Sequence, residues 1–173
     1  MNDKDRIVSE VRNALNGLFG DPDRDWTRGV KTALCEACRN CNDDFMIYAT
    51  GVDVDVAGNE WLYDVTCLLY DENNYLRHIP LVAESEWQGV DQIYYDFEKL
   101  LLVRADVRVM VFDGNYWGVD DDKFEEMAKY ITKCDRTEPG DTFLLAAWPH
   151  RESELNEFQF CRIDAFQSQR ILE

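Results

Sequence analysis

The chain is short of basic residues, of histidine and of long apolar runs, and each shortage excludes something. In 173 residues, 18 Lys+Arg stand against 35 Asp+Glu, a net charge of −17. The cations are scattered singly, so the sequence carries no basic stripe of the kind that grips a phosphate backbone. No apolar run approaches the roughly 18–20 residues of a membrane span. The stretch from Met1 to Gly20 is charged throughout and has no apolar core of a secretory signal. A cytoplasmic location is the expectation. The two histidines, His78 and His150, have no metal-ligand spacing. A Gly-rich phosphate loop and a Gly-x-Ser-x-Gly elbow are both missing, which removes P-loop nucleotide binding and serine-type hydrolysis.

What is present is enough to build a core. Hydrophobic residues make up 46% of the chain, with five Trp, nine Phe and eight Tyr, far too aromatic for a disordered acidic segment. The length suits one domain, residues 1–173, that folds without disulfide or metal staples. Six cysteines without a secretory signal read as free thiols. Cys35, Cys38 and Cys41 form a Cys-x-x-Cys-x-x-Cys run, but the second Cys-x-x-Cys that a zinc or iron–sulfur site wants is absent. On a helix the three share one broad face, as core residues do.

Periodicity gives the elements. Ile7, Val11, Leu15 and Leu18 repeat at helical spacing over residues 3–18, and a second helical pattern runs from Trp26 to about Asn40. Phe45–Thr50 reads as a short strand, Glu60–Tyr70 as a second, and His78–Trp87 as a third. The Asp71–Asn74 tetrad is the turn between the last two. A helix follows over Val90–Arg104, then a strand at Val107–Phe112 and an acidic helix at Val119–Cys134. In that last helix Asp120, Asp121 and Asp122 mark the N-terminus, where the helix dipole favours negative charge. Strands at Thr142–Trp148 and Glu157–Ile163 close the chain. Three consecutive strands joined by short turns predict an antiparallel meander. The helix after them predicts a crossover, so the sheet is expected to be mixed and the class α/β.

Residues two apart in a strand share a face. Glu84 and Glu86 therefore point the same way as Val82, and Asp64 shares its face with Leu62 and Thr66. If the Asp71–Asn74 turn pairs the two strands, Asp64 comes to lie beside Glu84 and Glu86. Two readings of the three acids stand open. They either line the solvated face of a sheet edge or share a divalent cation, since Mg²⁺ takes a few carboxylates and keeps several waters.

An acidic residue in one strand, 19 intervening residues, Glu-x-Glu in the next strand, then a helix and another strand: this resembles the PD-(D/E)XK nuclease superfamily. The matching stretches are EWLYD, PLVAESEW, DFEKLLLVRAD and VRVMVF, within residues 60–112. The resemblance implies a restriction-endonuclease-like fold with an αβββαβ core over about 26–112. Helices flank that core, and an αββ extension follows at 119–165. It also implies Mg²⁺- or Mn²⁺-dependent hydrolysis of phosphodiester bonds in nucleic acid. In that scheme Asp64, Glu84 and Glu86 hold the metal, and Glu86 stands where the motif has lysine. Some restriction enzymes of the superfamily use Glu-x-Glu, and many members act as dimers. Other members move the lysine to the following helix, which makes Lys99 the fourth candidate catalytic residue. A helical wheel places Lys99 at about −120° from Ile93, off the apolar face, with Asp96 at about −60° and better aimed. Glu36 or Glu10 would supply any further acid from the first helix. Arg77, Arg104 and Arg108 are the cations that a nucleic-acid cleft around the carboxylates would use. The alternative is a catalytically silent acidic module of the same fold that binds a basic protein partner.

Overall fold

The computed structural model describes residues 3–18, 25–117, 122–149 and 157–166, together with the backbone of 170–172. Among them are four helices, α1 (Asp3–Asn16), α2 (Trp26–Cys41), α3 (Val90–Leu102) and α4 (Lys123–Lys133). The strands are β1 (Met46–Ala49), β2 (Val65–Tyr70), β3 (Leu76–Glu86), β4 (Val107–Asp113), β5 (Thr142–Trp148), β6 (Gln159–Asp164) and the three-residue edge β7 (Arg170–Leu172). They form one sheet in sequence order. The pairs β1–β2 and β2–β3 are antiparallel, β3–β4 and β4–β5 are parallel, and β5–β6 and β6–β7 return to antiparallel. The class is thus α/β with an open mixed sheet, as the meander and the crossover helix predict. His150, Asp120, Asp121 and most of the loop after α1 lie outside the described residues.

The central strands are apolar on both faces because helices cover both. Val107, Val109 and Val111 of β4 pack with Leu81, Ala83, Leu144 and Ala146 against α1 and α2. Met110 and Phe112 pack with Val82, Phe143 and Leu145 against α3 and α4. This two-sided burial is why VRVMVF and TFLLAAW read as continuous apolar runs rather than alternating ones. The edge of β1 is covered too. Ala57 N–H donates to the Ile47 carbonyl at 2.7 Å and Ala49 N–H to the Gly58 carbonyl at 3.1 Å, so the loop after β1 occupies hydrogen-bonding groups that would otherwise invite another chain.

Several element boundaries differ from expectation: β3 starts at Leu76 rather than His78, α3 ends at Leu102 rather than Arg104, β6 spans Gln159–Asp164 rather than Glu157–Ile163, and β7 is not given by periodicity. The second strand begins at Val65 rather than Glu60, because Leu62 takes φ +71° and Trp61 bridges back to Tyr63. The acidic helix begins at Lys123, where the Asp122 carboxylate accepts the Glu125 N–H at 2.9 Å as its N-cap. The three cysteines of α2 face the sheet, all buried, with Cys38 hydrogen-bonded to Cys67 of β2.

Candidate active site at the end of the β2–β3 pair

Residues Val65 and Ala83 are the last paired positions of β2 and β3, and one step beyond them Asp64 meets Glu84. Glu84 follows Val82 on the face covered by α3 and is only 3% exposed. The solvated-edge reading of that carboxylate is therefore incorrect. Its Oε2 accepts the Asp64 N–H at 3.4 Å, and its Oε1 is ion-paired with the Lys99 ammonium. Lys99 also bonds Asp96 Oδ1 at 3.1 Å, and its Nζ lies 5.9 Å from the centre of the Tyr63 ring.

The Asp64 side chain turns elsewhere. Where β2 has not yet begun, the Ser85 N–H lacks a strand partner, and Asp64 Oδ2 accepts it at 2.8 Å together with the Ser85 hydroxyl at 3.1 Å. The other oxygen, Oδ1, faces Lys31 Nζ of α2 at 4.0 Å, and Lys31 also pairs with Glu60 at 2.7 Å. A row of charge, positive, negative, negative and positive, thus passes through the end of the sheet: Lys31, Asp64, Glu84, Lys99. Two lysines from opposite helical layers bracket two carboxylates.

Burial sets the titration of these groups. It pushes the Glu84 carboxyl up to about 7, against the opposing bond from Lys99. Burial also raises Asp64, while the Ser85 N–H and hydroxyl work to lower it. Burial opposes the charge of Lys99, yet its bonds to Glu84 and then Asp96 hold the ammonium above the ordinary lysine range. The Tyr63 phenol is raised by burial and by the nearby Glu84. Several perturbed groups at one place are what a reactive site looks like physically.

Of the sequence-derived candidates, the structure brings Asp64, Glu84 and Lys99 together and leaves Glu86 out. Glu86 Oε1 accepts the N–H groups of Trp87 and Gln88, both at 2.7 Å, and so holds the turn into α3, where Gly89 at φ +53° supplies the conformation that a side chain would resist. Among the described residues no three His, Cys, Asp or Glu side chains converge as a metal-ligating group. The pair Asp64 and Glu84 still has the donor chemistry for Mg²⁺, a hard cation commonly bound through one or two carboxylates plus substrate phosphate and water. A cation there also offsets the burial that pushes Glu84 up.

The other expectations resolve differently. Lys99 reaches the site because its long stem carries Nζ round the helix, which a wheel of Cα directions does not register. Glu10 accepts from Asn40 Nδ2 at 3.3 Å, and Glu36 is exposed on α2, so neither joins the carboxylates. The arginine cleft does not form around them. Arg108 is buried and donates to the Val103 carbonyl and Asp141, Arg104 pairs with Glu138, and Arg77 is exposed on β3. Sequence reasoning missed Lys31, Ser85 and Tyr63. A signal for Lys31 exists: it lies four residues before Cys35 and seven before Cys38, so it belongs to the buried stripe of α2 and needs an acidic partner.

A cavity of about 860 Å³ between α3 and α4, lined by Tyr94, Leu101, Glu126 and Tyr130 among others, shares no residue with this site. Among the described residues no helix is long and apolar enough to cross a membrane. No protein-family profile, curated protein or solved structure matches the chain.

Proposed function

We propose that this chain is a metal-dependent nuclease of the PD-(D/E)XK type whose working residues are Asp64, Glu84 and Lys99. One observation carries the proposal: Asp64 and Glu84 meet across adjacent strands, and the lysine from the following helix is bonded to the second acid. The element order from α2 to β4, αβββαβ, supports it as well. Asp64 and Glu84 would hold a Mg²⁺ or Mn²⁺ ion, which supplies Lewis acidity and a more acidic bound water. Ser85 fixes the Asp64 carboxylate with two hydrogen bonds to Oδ2, which leaves Oδ1 facing Lys31. Lys99 brings the positive charge that the Glu-x-Glu motif lacks. It neutralises Glu84 in the resting chain and is free to meet a phosphate when Glu84 is otherwise engaged. Burial raises Asp64, and the Lys31 ammonium works against that rise from the opposite side. Glu86 is a turn residue in this scheme, not a ligand.

The test is calorimetry with Mn²⁺ together with cutting assays on DNA and RNA. Mn²⁺ uptake, a cut product and loss of both in Glu84→Ala support the proposal. No metal uptake and no product from any nucleic acid overturn it. The second reading, a silent module for a basic protein partner, is favoured by the charge of −17 and the internally paired arginines. Tight binding of a lysine-rich polypeptide at physiological salt, without metal uptake, would select that reading.

A further inference from the structure

Helices α3 and α4 leave an open groove of about 860 Å³ between them, on the face of the sheet away from α1 and α2. Each helix links two parallel strands, α3 between β3 and β4 and α4 between β4 and β5, so the two run side by side in the same direction. Their rings fix the register. Tyr94 of α3 stacks on Tyr130 of α4 with centroids 5.0 Å apart, and the Tyr94 hydroxyl donates to Glu126 at 2.9 Å. Both tyrosines line the groove together with Leu101 and Leu102. Leu102 is 72% exposed and Tyr130 42%, so apolar surface stands uncovered on both walls.

One turn beyond the stacked rings, the two walls carry opposite charges. Glu98 follows Tyr94 by four residues and Lys133 follows Tyr130 by three, which sets them at nearly the same height on opposite sides of the groove. Among the described residues neither side chain has a hydrogen bond or an ion pair, whereas Lys129 is held by Glu125, and Glu126 by Tyr94 and Trp117. The charges lining the groove, Glu98 and Glu126 against Lys129 and Lys133, sum to zero on a chain of −17. Two such chains repel over most approaches, and a face without net charge is where they can meet.

This charge pattern selects the occupant. An anionic amphiphile would suit Lys133 and be opposed by Glu98, and a basic segment would meet the reverse. A second copy suits both, because an isologous two-fold contact brings the acid of each chain to the base of the other. With the axis along the groove, α3 of each copy lies over α4 of its partner. Glu98 then faces Lys133 twice, and Leu102 and Tyr130 are covered. We infer that this chain self-associates as a two-fold dimer through the α3–α4 groove. The inference does not depend on the nuclease reading, since none of Asp64, Glu84 and Lys99 lines the groove.

The test is sedimentation equilibrium of the full chain up to about 100 μM, since a face of two short helices is small for a stable pair. A monomer–dimer equilibrium is expected. Leu102→Glu should raise the dimer Kd at least tenfold. Glu98→Lys and Lys133→Glu, each of which sets like charges together twice, should raise it about tenfold. The double reversal Glu98→Lys with Lys133→Glu restores both pairs and should return to within about threefold of the original chain. Tyr75→Ala, at the exposed β2–β3 turn, leaves the Kd unchanged. Circular dichroism shows that each variant is folded. A chain that stays monomeric throughout, a dimer indifferent to Leu102→Glu, or a double reversal no tighter than either single one overturns the inference.

Discussion

Replacing Glu84 with Gln keeps the shape of the side chain and removes its proton. Burial raises the Glu84 carboxyl from an ordinary 4.5 to about 7 in the folded chain. At about 1.4 kcal/mol for each pH unit of that difference, the linkage is worth roughly 3 kcal/mol. Its sign follows from proton counts. Between pH 4.5 and 7 the folded chain retains a proton that the unfolded chain has released, so stability falls as pH rises. The contribution is complete below pH 4.5 and gone above 7. Asp64 is raised chiefly by its own burial, which the substitution leaves in place, so its contribution is expected to cancel in the difference. The gap in unfolding free energy between wild type and Glu84→Gln should therefore move by roughly 3 kcal/mol between pH 4.5 and 8, in favour of the variant at high pH. For a chain of this length that is about 6–12 °C in Tm. Urea unfolding followed by tryptophan fluorescence in EDTA at four pH values measures it. A gap that stays constant to about 0.5 kcal/mol across the range refutes the burial argument. One millimolar Mn²⁺ at pH 8 should restore stability to the wild type and not to the variant.

Three further substitutions probe the scaffold around the site. Lys31→Met takes the cation from Glu60 and Asp64 and should cost about 1–3 kcal/mol by urea titration at pH 7. Gly114→Ala sets a Cβ 2.3 Å from the Trp148 carbonyl oxygen, which is backbone and cannot yield, so a loss of more than about 2 kcal/mol is expected in thermal unfolding. Leu62→Gly relieves the φ of +71° and should raise stability by about 1 kcal/mol while shortening no strand, which circular dichroism can check.

Much of the fold is legible because helical spacing marks the helices while the central strands, buried on both faces, stand out as short continuous apolar runs. The run Thr142–Trp148 matches β5 to the residue, and the helix expected from about Val90 to Arg104 starts at Val90 and ends at Leu102. Glu60–Asp64 was not. EWLYD has the β-rich composition of a strand, and only the backbone reveals that Leu62 is left-handed and that β2 waits until Val65. At the site, alternation set Asp64 beside Glu84 on one face, but the Asp64 carboxylate turns to Ser85 and Lys31 of α2 while Glu84 meets Lys99 of α3. It failed for Glu86, because alternation fixes where Cβ points but not where a two-carbon stem then bends, and nearby N–H groups captured that carboxylate. The wheel undervalued Lys99 for the same reason, as four methylenes cover more arc than one helical step. Lys31 needed the reverse inference, from a lysine in an apolar stripe to an unseen acid.

The buried thiols of α2 make the helix its own strain gauge. Burial raises Cys35 to about 12 and Cys41 to about 11, and Cys38 is raised above the ordinary range through its bond to Cys67 and its burial. A thiol reacts as thiolate, so alkylation of these three is strongly slowed while α2 is docked on the sheet. The labelling rate of the α2 cysteines therefore counts how often that helix lifts from the sheet. Because Lys31 rides on the same helix, the same clock reports how often Asp64 loses its partner, and whether that happens by local opening or only when the whole chain unfolds.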